Sequence, residues 1–148
     1  MNRIKLIALL LCLNQTLTAR EKHCTEHTFA IIKPGAVQEN QSDEILEMIK
    51  KAGFIIIAMK KMKLTSADVR NLYREYKRRS WFAKYVQEMT ASPAIVMILQ
   101  KHNCVKEWDT YKKIIRAVYD SIHNTNNVVH GSDSIKSAKR EIAIFFKD

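Results

Sequence analysis

The chain has 148 residues, with 25 Lys and Arg against 15 Asp and Glu and a hydrophobic share of 47%. That length suits one domain with a real core, and that composition excludes a low-complexity or disordered chain. The formal charge of +10 favours anionic partners such as nucleotides, nucleic acid or acidic membrane surfaces. Lys60, Lys61 and Lys63, and Lys77, Arg78 and Arg79, are short runs that read as solvated faces and not as a nucleic-acid groove.

The elements are expected in the following order. Asn2 to Lys5 are a short basic start, Leu6 to Leu13 an apolar run, and Thr18-Ala19 a small pair before Arg20. This is the order of a secretory signal over residues 1–19, leaving 20–148 as one domain. A mitochondrial presequence is the alternative, because no acidic residue precedes Glu21. The run is too short to span a bilayer, so no membrane span is expected after signal removal. Loss of Cys12 would leave Cys24 and Cys104, an even pair that an oxidising compartment could bridge. His23, Cys24 and His27 imitate a metal cluster but lack a second ligand pair, so they read as a polar lead-in. Asn40-Gln41-Ser42 is a glycosylation sequon with meaning only on a secretory route.

Thr28 to Ile32 predicts a buried strand. Ser42 or Asp43 caps a helix to about Ala52 with Ile45, Met48 and Ile49 on one face, and Gly53 ends it. Phe54 to Lys63 predicts a second strand. Thr65 or Ser66 caps a helix carrying Val69, Leu72, Tyr73 and Tyr76 at helical spacing. A further helix runs from Ser80 to about Met89. Pro93 precedes a central strand, Ala94 to Leu99, and then a helix from Asn103 to about Lys113 with Val105, Trp108 and Lys112 on adjacent turns. A last helix spans about Ser134 to Phe146, with Ile135, Ala138, Ile142 and Phe145 as its buried stripe. With only three Gly and two Pro, most of residues 20–148 should be regular structure. The order contains β-α-β-β-α-β, so the fold class is α+β: a ferredoxin-like sandwich, a four-stranded antiparallel sheet covered by helices. That fold hosts many chemistries.

Two segments carry chemistry. Asn127-Val128-Val129-His130-Gly131-Ser132-Asp133-Ser134 offers an imidazole ahead of an amphipathic helix, and Phe29-Ala30-Ile31-Ile32-Lys33-Pro34-Gly35-Ala36-Val37 offers a lysine at the end of an apolar strand. A histidine that accepts a phosphoryl group and a lysine that steadies phosphate charge together make a phosphotransferase. An imidazole nucleophile needs a partner on its second nitrogen, and Glu141 on the next helix is the candidate. Phosphoryl transfer otherwise needs positioning and charge neutralisation, hence Lys33, Arg116 and a metal. Taken singly, these residues have plainer readings: His130 as a bonded core histidine, Tyr73 and Trp81 as helix core, Lys33 as a strand-end lysine, Glu141 as an exposed helix position.

Those two segments, Tyr73 to Phe82, Met89-Thr90-Ala91-Ser92-Pro93, and Ser137 to Phe146 occur in the order found in nucleoside diphosphate kinases. The chain resembles that family over about residues 27–147, and Trp108 and Tyr73-Arg74-Glu75 are similar to its divergent group typified by the mitochondrial member. The resemblance implies a ping-pong reaction. A nucleoside triphosphate gives its γ-phosphoryl to a histidine, and a nucleoside diphosphate collects it, with Mg²⁺ bridging the phosphates. It implies His130 as the phosphorylated histidine and Lys33 as the lysine on the transferring phosphoryl. Tyr73 would lie beside both, with Glu141 orienting the imidazole and Ser132 supporting it. Trp81 would stack on the base, Arg116 contact phosphate and Asn127 hold the ribose hydroxyl. No protein metal ligand is implied.

The pattern breaks after Trp108. The family's long loop, which covers the phosphates and builds trimer contacts, is roughly ten residues shorter here, and a phosphate-binding threonine goes with it. A family arginine position falls at Asp109, where a carboxylate should repel phosphate; Lys112 and Lys113 are the candidate substitutes, as flexible point charges. Gly35 replaces an aspartate, a change read as conformational. Three explanations stay open: a shortened loop with activity kept, a catalytically weak or inactive nucleotide-binding or protein-interaction module, or a skipped exon. The family's hexamers are built from dimers, so a dimer or weakened hexamer is expected.

Overall fold

The computed structural model describes residues 25–123 and 128–147. The signal-like segment, Cys24 and Asn127 lie outside them. The elements are β1 (Thr25–Ile32), α1 (Pro34–Gln38), α2 (Ser42–Lys51), β2 (Ile55–Met62), α3 (Ser66–Leu72), a 3-10 turn (Arg74–Tyr76), α4 (Phe82–Ala91), β3 (Ala94–His102), α5 (Cys104–His123), β4 (Val129–Gly131) and α6 (Ile135–Phe145). The sheet runs β2-β3-β1-β4, every pairing antiparallel. This is the expected ferredoxin-like α+β sandwich.

Alternation along the two inner strands builds two cores. Ala30, Ile32, Ile95, Met97 and Leu99 face one side and pack with Ile45, Ile49, Phe54, Trp108 and Ile115. Phe29, Ile31, Ala94 and Val96 face the other and pack with Val69, Leu72, Phe82, Val86 and Phe145. Period-two side chains on a strand buried on both faces require this near-continuous apolar run. Local chemistry sets the helix starts. Thr65 and Asp68 form a reciprocal capping box at α3, and Ser134 Oγ accepts the Ser137 amide at α6, each satisfying amides the first turn leaves unpaired. Gly53, at φ +83, takes the left-handed backbone that turns the chain from α2 to β2.

Four expectations need correction. α5 does not stop near Lys113 but continues to His123, so the region expected to be shortened lies inside a continuous helix. Trp108 before it and Ile115 and Tyr119 after it are all fully buried. α3 ends at Leu72, and the 3-10 turn leaves Tyr76 40% exposed. Ile135 is 53% exposed, while Glu141 takes a buried place on α6. Gly35 sits in α1 without a positive φ and with open space around it, so no backbone demand explains the glycine. Cys104 is buried and donates to Leu99 O at 3.4 Å; burial pushes its thiol up to about 12.

Candidate active site

Strand register brings the two chemical segments together. Ile31 pairs with His130 across β1 and β4, and the Lys33 amide bonds Val128 O at 2.9 Å. Residues two apart on a strand share a face, so Lys33 and His130 emerge on the same side of the sheet end. There they line a cleft of about 450 Å³ with Tyr73, Trp81, Tyr85, Lys112, Arg116 and Glu141.

His130 is held from its far nitrogen. Its Nε2 lies 3.1 Å from Glu141 Oε2, which also accepts Ser132 Oγ at 2.7 Å; Arg140 Nη2 donates to the other carboxylate oxygen at 3.1 Å. With the Nε2–H donated to a carboxylate, Nδ1 carries the lone pair. Burial holds the imidazole below its ordinary pKa, against the upward pull of Glu141, so it is neutral at neutral pH. Tyr73 stacks edge-on against the ring at 5.1 Å. Its hydroxyl is buried with no hydrogen-bond partner among the described residues. Burial first, and then the neighbouring Tyr85, raises its pKa well above the usual phenol range.

Lys33 is 7% exposed and donates from Nζ to the Tyr85 hydroxyl at 2.9 Å. Burial, and then the neighbouring Arg116 charge, bring its pKa down to about 7. Such a lysine gains greatly from an anion. At the mouth, Trp81 is 47% exposed and meets Tyr76 and Tyr85 at 5.5 and 5.8 Å.

The third wall is one stripe of α5. Trp108, Lys112 and Arg116 recur every four residues and so share a helix face. Trp108 Nε1 donates to His130 O at 3.3 Å, Lys112 Nζ to Gly131 O at 3.3 Å, and Arg116 Nη2 and Nε to Val129 O at 2.7 and 3.2 Å. β4 is an edge strand, and its outward carbonyls Val129 O and Gly131 O need partners; Arg116 and Lys112 of this stripe supply them. Gly131 is required by the same contact, because a Cβ there would overlap the Trp108 indole. Asp109 does not line the cleft. It pairs with Lys112 at 2.7 Å and Lys113 at 2.9 Å, and these bonds lower its pKa. The expected bare repulsion is thus neutralised.

The structure therefore gathers Lys33, Tyr73, Trp81, Arg116, His130, Ser132 and Glu141 into one place, and Asn127 falls outside the described residues. Sequence reasoning missed Tyr85, which partners Lys33. Its signal is the four-residue spacing from Trp81, which alone reads as ordinary helix packing. It also missed Arg140, which bonds Asn71 O, Leu72 O and Glu141 and so ties α6 to the segment bearing Tyr73.

A ferredoxin-like sandwich whose cleft gathers Lys33, Lys112 and Arg116 together with Glu75, Asp133 and Glu141 around a carboxylate-held histidine defines the class of protein. Residues 26–148 match the family model for nucleoside diphosphate kinase. The nucleoside diphosphate kinase of Histophilus somni (strain 2336) is 38% identical over 133 residues, 83% of this chain and 94% of that protein. That of Caulobacter sp. (strain K31) is 36% identical over 134 residues, 84% of this chain and 96% of that protein. Among solved structures, a C222 crystal form of the Aquifex aeolicus nucleoside diphosphate kinase superposes with a TM-score of 0.70 at 24% identity, over 83% of this chain and 96% of that one. The chain belongs to the nucleoside diphosphate kinase family.

Proposed function

We propose that the protein moves the γ-phosphoryl of a nucleoside triphosphate to a nucleoside diphosphate through His130. The observation that carries this is the His130–Glu141 contact at 3.1 Å, which turns the neutral Nδ1 toward chemistry beside Lys33 and Arg116. Nδ1 attacks the γ-phosphorus; an N–P bond forms, the β–γ P–O bond breaks, and the nucleoside diphosphate leaves with that oxygen. A second diphosphate then attacks, re-forming P–O and returning the imidazole. Glu141 stabilises the positive charge that develops on the ring, and Lys33 and Arg116 offset charge on the phosphoryl oxygens. The Tyr73 hydroxyl is a donor for the same oxygens. Trp81 offers a sequence-tolerant platform for the base.

Mg²⁺ is proposed to come with the substrate, as the metal–nucleotide complex, and Asn127 is proposed for the ribose. We further propose residues 1–19 as a secretory signal, with mitochondrial import as the alternative, and a homo-oligomer that is a dimer or a weakened hexamer.

The test is acid-labile labelling of residues 20–148 by γ-labelled ATP with Mg²⁺, beside His130→Ala, followed by a nucleoside diphosphate chase. Label lost in His130→Ala and discharged by the chase is expected. A folded wild-type chain that takes no label would leave the nucleotide-binding or protein-interaction module.

A further inference from the structure

The shortened loop takes phosphate-binding groups with it, yet the cleft holds a cation that the transfer chemistry of Lys33 and Arg116 leaves unused. Lys112 is 8% exposed and lines the cleft with His130, Lys33 and Arg116. An ammonium has three N–H donors. Two are engaged, by Asp109 Oδ1 at 2.7 Å and Gly131 O at 3.3 Å. The same helix turn carries a second lysine, Lys113, that also binds Asp109, at 2.9 Å, but its side chain is 69% exposed and it lies outside the cleft lining.

We propose that Lys112 binds nucleotide phosphate in place of the longer loop of relatives, and that Asp109 is the counter-ion the phosphate displaces. This rests on the kinase reading. Asp109 bridges two lysines. When Lys112 turns its charge to a phosphate, the carboxylate keeps Lys113 and, at 37% side-chain exposure, solvent. Neither charge is stranded, so the exchange is cheap, whereas a buried ion pair split outright leaves an unpaired charge. The electrostatics agree: the charge of Lys112 already depresses the pKa of both Lys33 and His130, so an anion entering the cleft meets Lys33, Lys112 and Arg116 together. Helix continuity is what makes the arrangement possible. A helix running through the shortened region puts Lys112 and Arg116 on one stripe, on either side of the point where relatives carry extra chain.

Calorimetric titration of the full-length wild type, Lys112→Met and Asp109→Asn with Mg·ADP, and with adenosine as a phosphate-free probe, decides the matter. Lys112→Met should weaken ADP about tenfold or more, the scale of one charge-assisted bond, and leave adenosine unchanged. Asp109→Asn should tighten ADP severalfold by freeing the lysine. Wild-type affinity in a folded Lys112→Met overturns the phosphate role. Weaker or unchanged ADP binding in Asp109→Asn overturns the counter-ion role, and decides alone if Lys112→Met does not fold. A wild-type chain that binds adenosine but not ADP overturns the proposal outright; one that binds neither overturns the kinase reading with it.

Discussion

In the proposed mechanism His130 is neutral to attack and Lys33 charged to help, and burial moves both pKa values the same way. The imidazole lies below its ordinary value of 6.5 and the lysine near 7. In the free enzyme, kcat/KM should therefore rise as pH passes upward through the histidine's lowered value and fall again as pH passes about 7. Bound phosphate stabilises the ammonium, so the falling limb of kcat should lie well above that of kcat/KM. A pH–rate series checks this; coincident falling limbs would sink it. The same burial has a stability consequence. Between pH 7 and 10.5 the unfolded chain holds the Lys33 proton that the folded chain releases, so stability rises with pH across that window. At pH 7 the cost of the buried lysine is present almost in full. Lys33→Met should abolish transfer yet stabilise the fold by on the order of 1–3 kcal/mol at neutral pH, read as a rise of several degrees in Tm.

At the scale of elements, the site depends on how closely α5 lies on β4. Trp108 is fully buried between Phe54, at 5.5 Å edge-on, and the β4 backbone, so it cannot retreat from a larger residue at 131. Gly131→Ala should cost about 2–3 kcal/mol by overpacking and displace His130. Gly131→Ala with Trp108→Phe should recover part of that loss in chemical denaturation; a single variant as stable as wild type would contradict the packing argument. Here the limits of the sequence are physical. β1, β3 and α2 are legible from their apolar period, although α2 starts at Ser42 with Gln41 at its N-cap and no side-chain cap bond in place of the expected Ser42 or Asp43 cap; the His130 and Lys33 segments stand out because residue type and order both point to phosphoryl chemistry. The true length of α5 is not legible, because Lys112 and Lys113 look like a helix's exposed end; only the tertiary partner Gly131 O explains a buried lysine in mid-helix. Glu141 is legible as a candidate partner of the imidazole, but its burial is not, since His130, Ser132 and Glu141 come together only in the fold. Ile135 has the spacing of a core residue but sits in the first turn of α6, and periodicity carries no information about where the covering layer ends.

At the scale of the whole molecule, the two sheet edges are treated differently. β4 is covered by the α5 stripe. β2 is not: its Ile55, Ile57 and Met59 are 58%, 44% and 52% exposed, and a register shift between Ile56 and Ala58 bends the strand. An exposed edge with apolar side chains invites pairing with another strand, and a second copy of β2 is the partner most readily supplied by this chain. On the proposed reading the shortened loop belongs to trimer contacts, so higher assembly is the part expected to weaken while this edge stays available. The chain should therefore run as a dimer in light scattering at micromolar concentration. Met59→Lys should shift it to monomer while far-UV circular dichroism stays unchanged, because the side chain is more than half exposed in the single chain. A tight hexamer in wild type would show that trimer contacts survive without the loop. A dimer indifferent to Met59→Lys would move the interface to another face.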